Sequence, residues 1–248
     1  MDYEERELLA QARAETRPFI PKKVWWKSKI MGKQKIEDYL WNYYQRESEH
    51  RVPFYLPSIF VKECMDYLCR YGKISKSQLV GVLIDGEDYR IDHFLSSYLE
   101  RFQYLTIVTD RKEYFESLQE RAFQELGLLI DLVHTWEEKK LQGNLVWDFS
   151  EKLQKKDCYP AGSICFMPYK KEWKQAEMQK CLSNVQVISL KSIRIRGIEI
   201  SPQFAECLIV PTGVTFRGSR CEMLEKWCKK QGWSIKMKVC KASRTLTN

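Results

Sequence analysis

The sequence of 248 residues predicts an α/β fold with a mostly parallel sheet. Short apolar segments alternate with stretches in which apolar residues recur every three or four positions, the spacing of one helical face. The pattern is clearest in residues 79–133, where it predicts strand, helix, strand, helix and strand. Strands and helices that alternate at this spacing are joined by right-handed crossovers, so the strands should lie parallel in one sheet.

The individual elements follow from the same patterns. The first strand ends in the turn pair Asp85-Gly86, and Gly127 ends the helix before the third strand. Beyond a sixth strand, alternating isoleucines around Gly197 predict a β-hairpin. Strands are predicted at 79–85, 104–109, 128–133, 144–148, 163–167 and 185–190, the hairpin at 192–200, helices at 201–208 and 217–231, and an edge strand at 233–239.

Residues 79–190 resemble the Rossmann-type domains that bind NAD(P), which share this order of strand, turn, helix and strand. The resemblance implies a three-layer sandwich with the strand order 3-2-1-4-5-6 and a ligand site at the carboxyl ends of the strands. In those domains a G-x-G-x-x-G turn lets the backbone approach a diphosphate. Gly86 stands at the first glycine position, whereas Asp88 and Ile91 occupy the second and third. An acidic turn is expected to repel a diphosphate.

Three residues are implied by the resemblance as cofactor-binding residues: Gly86 in the turn, and Asp110 and Arg111 after the second strand. Asp110 stands where those domains place the acid that binds a ribose, and Arg111 where a partner for a 2′-phosphate would stand. The alternative is structural. Asp110 would cap the following helix, and Glu113 would complete a capping box.

The same strand ends carry acidic residues that could bind a metal ion. Asp85, Asp110 and Asp148 end three neighbouring strands of the predicted sheet, and carboxylates suit Mg²⁺ and phosphoryl transfer. The segment that ends in Asp85 faintly resembles the haloacid-dehalogenase-like phosphatases, but Glu87 stands where they carry a second Asp. The cysteines and histidines show no metal-ligand spacing, and the nine cysteines contain no C-x-x-C pair. We therefore predict reduced thiols and no resident metal.

The formal net charge of +8 is unevenly distributed. Two stretches, residues 16–36 and 226–248, contain several basic residues and no acidic residue. Trp25 and Trp26 interrupt the first stretch. Such ends are either solvated or weakly bind an anionic partner such as nucleic acid or lipid. The solvated arm is the preferred interpretation, because isolated charged runs usually face water.

These observations predict a helical, basic N-terminal arm over residues 1–56 and an α/β domain over 57–248. The sequence shows no long apolar run and no signal-peptide pattern, so the expected location is cytoplasmic. The turn at Gly86 lacks the other glycines of a nucleotide-binding turn, and the sequence shows no recognisable pair of nucleophile and base. These observations predict a non-catalytic binding or scaffolding protein whose cofactor and partner are unknown. The alternatives are an NAD(P)-dependent oxidoreductase with an atypical glycine turn, a Mg-dependent phosphoryl-transfer enzyme, and a nucleic-acid-binding protein that uses its basic ends.

Overall fold

A computed structural model describes residues 55–87, 89–152, 154–169, 172–182, 184–195, 198–209 and 219–240. The described residues belong to two compact units. One comprises residues within 61–189 and 237–240, and the other residues within 55–60 and 190–236. The predicted N-terminal arm and its basic stretch lie outside the described residues, and the boundary between arm and domain stays a prediction.

The first unit is built around a parallel sheet with the strand order β3-β2-β1-β4-β5-β6. The predicted Rossmann-like α/β class and its strand order are therefore confirmed. Observed strand ends differ from the predicted ends by at most one residue, except that β6 continues into the predicted hairpin. The strands are β1 Val80–Ile84, β2 Tyr104–Val108, β3 Leu129–Val133, β4 Leu145–Asp148, β5 Ile164–Phe166 and β6 Gln186–Ile195.

Burial on both sheet faces explains why the central strands are continuous apolar runs. In β4, Val146 belongs to an aliphatic cluster on one face, whereas its neighbour Trp147 packs against aromatic rings. The ring of Trp147 lies 4.7 Å from the ring centroids of both Phe94 and Phe166. Side chains at alternate positions of one strand thus stabilise two separate cores, one on each face.

Helices accompany the strands in the order that the sequence predicts. They are α2 Val61–Gly72, α3 Arg90–Tyr98, α4 Lys112–Leu126 and α5 Glu172–Cys181. Gly127 follows α4 with a φ of 65°, and its N–H donates to the carbonyl of Phe123 at 3.0 Å. A left-handed residue of this kind ends a helix at low cost only when it has no Cβ. This confirms the predicted end of the helix before β3.

The second unit contains α1 Leu56–Ile59, β7 Ile198–Ile200, α6 Pro202–Ile209 and α7 Ser219–Lys230. The predicted hairpin is confirmed, because Ile193 pairs with Ile200 and Ile195 with Ile198 in antiparallel register. The fully buried carboxylate of Glu206 accepts hydrogen bonds from the backbone N–H groups of Tyr55 and Leu56, at 2.8 and 3.0 Å. These bonds satisfy free donors at the start of α1. β8, Trp233–Val239, pairs with β6.

Over the part of the chain that the structure describes, none of the helices combines the length and apolarity that crossing a bilayer requires.

Gly81 in β1 permits close packing against an aromatic ring, which generates a prediction about stability. A Cβ built at Gly81 would lie 2.6 Å from Cδ1 of Phe102, closer than atoms can approach. We expect Gly81→Ala to lower the free energy of unfolding by about 1–3 kcal/mol, the usual cost of overpacking. Urea denaturation of Gly81→Ala, Phe102→Ala and the double variant measures this. The cost of the added methyl should shrink in the Phe102→Ala background, and strictly additive costs would contradict the proposed contact.

Candidate functional site

The carboxyl ends of the parallel strands bring the predicted site residues to one edge of the sheet. Asp85 follows β1, residues 109–111 follow β2, residues 134–136 follow β3, and Asp148 is the last residue of β4. This edge is where open α/β sheets bind their ligands. The contacts of each acid decide what it can still do.

Asp85 links the end of β1 to the residues that follow β2. Its carboxylate is almost fully buried and accepts two hydrogen bonds from the guanidinium of Arg111, at 2.7 Å from Nε and 2.9 Å from Nη2. The hydroxyl of Thr109 donates to the same carboxylate at 2.8 Å. The Arg111 guanidinium also lies 4.2 Å from the ring centroid of Tyr114. The hydrogen bond that Arg111 donates to Asp85 raises the pKa of Arg111, so the guanidinium stays charged.

These contacts occupy Arg111, the residue predicted to meet a 2′-phosphate. A bidentate ion pair with a buried carboxylate balances the charge of Arg111 within the protein, and without this pair Asp85 would lose its cationic partner. The structure therefore gives a physical role to Arg111 that needs no ligand. Its role in cofactor binding remains a prediction.

The turn after β1 is shaped by close packing. A Cβ at Gly86 would lie 2.5 Å from the backbone oxygen of Phe149 and 3.0 Å from Nη2 of Arg90. Glycine is thus required here by a neighbouring strand end, whatever the turn binds. Glu87 follows with a φ of 61° and an exposed side chain, and its N–H donates to Asp85 at 2.9 Å. Asp88 lies outside the described residues. Cofactor binding by Gly86 remains a prediction.

Asp110 lies beside a polar and aromatic loop after β3. Its carboxylate accepts from the backbone N–H of Thr135 at 3.1 Å and from the Thr135 hydroxyl at 2.7 Å, and its side chain is 49% exposed. Nδ1 of His134 is 3.9 Å from the same carboxylate. Trp136 stacks on His134 with 5.0 Å between ring centroids, yet it is 64% exposed. A half-exposed carboxylate after β2 therefore lies beside a loop after β3 that carries an exposed indole.

The capping alternative for Asp110 is wrong. The residue that precedes α4 is Arg111, and no side chain caps the helix through a hydrogen bond. The Asp110 carboxylate instead accepts hydrogen bonds from Thr135, in the loop after the neighbouring strand β3. Asp110 is therefore available as a site residue at the edge of the sheet.

A second ion pair supports this loop. Nζ of Lys112 is 2.7 Å from Oε1 of Glu137, which also accepts from the backbone N–H of His134 at 3.1 Å. The hydrogen bond from Lys112 lowers the pKa of Glu137, so the carboxylate is ionised at neutral pH. Lys112 in α4 thus fixes the backbone from which His134 and Trp136 project.

Asp148 is completely buried and fully engaged. The hydroxyl of Tyr159 donates to one carboxylate oxygen at 2.6 Å, and the N–H and hydroxyl of Ser150 donate to the other at 2.9 and 2.7 Å. Burial raises the pKa of Tyr159, which keeps the phenol protonated as a donor. Asp85 and Asp148 are both saturated by protein donors, and the described residues contain no group of three acids, histidines or cysteines that could hold a metal. The hypothesis of a three-aspartate Mg²⁺ site is wrong for this reason.

The sequence prediction missed the loop formed by His134, Thr135 and Trp136. It treated His134 as an ordinary residue, because the histidines have no ligand spacing along the chain. The available indication was the position of an aromatic and a hydroxyl residue immediately after a predicted parallel strand. Which neighbour Asp110 faces depends on the order of β2 and β3, which spacing alone does not determine.

No protein-family model and no curated protein matches this chain. A solved structure with some likeness is that of coclaurine N-methyltransferase bound to N-methylheliamine and SAH, at 12% sequence identity and a TM-score of 0.30. The match covers 79% of this chain and 55% of the methyltransferase, so the chain spans about half the length of that protein.

This comparison runs against the predicted function. The similar structure is that of a methyltransferase, whereas the sequence predicted a non-catalytic protein, with an oxidoreductase, a phosphoryl-transfer enzyme or a nucleic-acid-binding protein as alternatives. The contacts of Asp85 and Asp148 also leave the Mg²⁺ alternative without its expected ligand groups. We therefore correct that prediction and its alternatives. Because the TM-score is only 0.30, any activity of this chain has to be argued from its own residues.

The Asp85–Arg111 pair generates a prediction about stability. Asp85→Asn keeps the shape of the side chain but removes the charge that the buried donors face. We expect a loss of about 2–3 kcal/mol in the free energy of unfolding, the upper range for hydrogen bonds to charged groups. Asp131→Asn is the matched control, because Asp131 pairs with a half-exposed Lys139 and should cost less than about 1 kcal/mol. Equal costs in chemical denaturation would contradict the central role of Asp85.

Cys158 generates a prediction about reactivity. Burial, reinforced by the nearby charge of Asp148, raises the pKa of its thiol to about 11. Because the thiolate is the nucleophile, the native protein at pH 8 should react with iodoacetamide far more slowly at Cys158 than at the exposed Cys181. Peptide mass spectrometry measures both rates, and in urea they should converge. Equal rates in the native protein would show that Cys158 is accessible and ionised.

Proposed function

We propose that this chain is an S-adenosylmethionine-dependent methyltransferase that holds the adenosyl group at the carboxyl ends of β2 and β3. The observation that carries the proposal is the half-exposed carboxylate of Asp110, which is hydrogen-bonded to Thr135, the residue that precedes the exposed Trp136. A carboxylate and an aromatic face at this edge are the two groups that recognise a ribose and an adenine.

Asp110 has capacity for a ribose in addition to its bonds to Thr135. A carboxylate offers about four acceptor positions, and its described hydrogen bonds come from a single residue, Thr135. Ribose hydroxyls donate to such an acid at the end of the second strand in nucleoside-binding sheets of this order. The bonds from Thr135 orient the carboxylate before a ligand arrives, which reduces the entropy cost of binding.

Trp136 supplies the aromatic surface. An indole that is 64% exposed loses little of its own packing when a flat ring covers it, and stacking of a base on an aromatic side chain is worth about 1–3 kcal/mol. The parallel stack on His134 holds the indole in place, with 15° between the ring planes. Lys112 and Glu137 fix the backbone beneath both rings.

Charge distinguishes an adenosyl cation from a dinucleotide. The turn after β1 presents the exposed side chain of Glu87. Arg111, the described cation that binds Asp85, is already neutralised by the Asp85 carboxylate. A diphosphate near Glu87 would be repelled, with a like-charge energy on the order of 4 kcal/mol at 4 Å and an effective dielectric constant of 20. A positively charged sulfonium is attracted by the same carboxylate. When bound, S-adenosylmethionine supplies a methyl group activated on that sulfur.

Isothermal calorimetry with SAH tests the proposal. We expect the native chain to bind SAH, and NAD⁺ more weakly or not at all. Asp110→Asn and Trp136→Ala should each weaken SAH binding by about tenfold or more, since losing one good polar or stacking contact costs about 1.4 kcal/mol or more. At a concentration of 100 times the dissociation constant, SAH should stabilise the protein by about 2.7 kcal/mol.

Asp131→Asn is the control, because Asp131 lies within β3 and pairs with Lys139 away from the loop. It should leave SAH binding unchanged. No binding of SAH or S-adenosylmethionine, stronger binding of NAD⁺, or insensitivity to both Asp110→Asn and Trp136→Ala would each contradict the proposal.

A further inference from the structure

A pocket lies at the opposite edge of the same sheet, where the strands begin. It is bordered by the end of α2, by Asn144 before β4, by Gly162 before β5, and by residues 184–186 at the start of β6. Its volume of about 650 Å³ lies within the usual range for small-ligand sites, about 300–1,000 Å³. All of its described walls belong to the first unit.

The chemistry of the walls is neutral. None of the described lining residues is an Asp, Glu, Lys, Arg or His. The walls combine side-chain amides, the phenol of Tyr71 and aliphatic groups such as Ile74 and Val239. A charged ligand would lose hydration here without gaining an ionic partner, which is costly. The pocket therefore suits a neutral molecule that has a flat apolar face and groups that form hydrogen bonds.

Two of the pocket amides are held by the backbone and serve as rigid walls. Asn144 accepts from the N–H of Val80 at 3.1 Å and donates to the carbonyl of Gln78. Gln179 donates to the carbonyl of Val185 at 2.9 Å and accepts from the N–H of Val187 at 2.8 Å. These four bonds use the polar ends of both side chains.

The other two amides keep hydrogen-bonding capacity. Gln186 accepts from the hydroxyl of Tyr71 through its oxygen, and no described residue accepts from its NH₂ group. The exposed side chain of Asn184 has no hydrogen bond with a described residue. The N–H of Gly162 donates to the backbone carbonyl of Asn184 at 2.6 Å and fixes the backbone of Asn184, which has a φ of 66°. Together the side-chain amides of Asn184 and Gln186 offer hydrogen-bond donors and an acceptor two residues apart.

We propose that this amino-edge pocket binds a neutral nucleobase or nucleoside that carries a cyclic amide, of the uracil or hypoxanthine type. A cyclic amide presents one N–H donor beside a carbonyl acceptor. That edge complements the amide of Asn184 and the NH₂ donor of Gln186. The phenol ring of Tyr71 and the aliphatic walls cover the face of the base. This site is separate from the adenosyl site proposed at the carboxyl edge and does not depend on it.

Calorimetry with uridine and inosine tests the proposal in the 248-residue chain. We expect saturable binding of at least one of these nucleosides, and weaker binding of uridine 5′-monophosphate than of uridine, because the described walls offer no cation to its phosphate. Asn184→Gly removes the amide while suiting the left-handed backbone, and Gln186→Glu keeps an acceptor for Tyr71 but removes the NH₂ donor. Each should weaken nucleoside binding at least tenfold.

Asp131→Asn is the matched control, because Asp131 lies within β3, pairs with Lys139 and does not line the pocket, and it should leave uridine and inosine binding unchanged. Thermal denaturation of each variant verifies that it is folded before binding is measured. The proposal is overturned if neither nucleoside binds, if the monophosphate binds more tightly than uridine, or if Asp131→Asn rather than Asn184→Gly removes binding. A failure of SAH to bind would contradict only the methyltransferase proposal.

Discussion

The ion pair between Asp85 and Arg111 is the constraint on which the carboxyl edge of the sheet depends. It joins the end of β1 to the start of α4, and Thr109 adds a bond from the end of β2. A buried carboxylate is tolerated only when its lone pairs are satisfied, and here four donors surround it, counting the N–H of Glu87. The position of Asp110, one residue before Arg111, follows from this arrangement.

Aromatic packing below that edge supports the same geometry. Phe94 in α3 contacts Trp147, and its ring centroid lies 5.6 Å from that of Phe149. Phe149 also provides the backbone oxygen against which Gly86 packs. The turn is therefore held between a close-packed aromatic core and a buried ion pair. This rigidity positions the edge residues without requiring a glycine-rich phosphate cradle.

The two edges of the sheet differ in the charge that they present. At the carboxyl ends lie Asp85, Asp110 and Asp148, two of them neutralised or saturated by neighbours and one half-exposed. At the amino ends the described pocket walls carry amides and no charged side chains. Parallel strands place all their starts at one edge and all their ends at the other, so one topology separates an acidic edge from a neutral one.

The sequence by itself determined the fold class and most element positions, because apolar periodicity and Gly127 report local backbone and burial directly. The strand order came from the resemblance to Rossmann-type domains. It also singled out Asp110 and Arg111, since both follow a recognisable strand. Only the tertiary structure decided their partners: Arg111 turns to Asp85, and Asp110 turns to Thr135 rather than to its own helix. The loop with Trp136 and the pocket near Asn184 escaped prediction for the same physical reason. Each is assembled from segments distant in sequence, and side-chain contacts between neighbouring strands leave no periodic pattern along the chain.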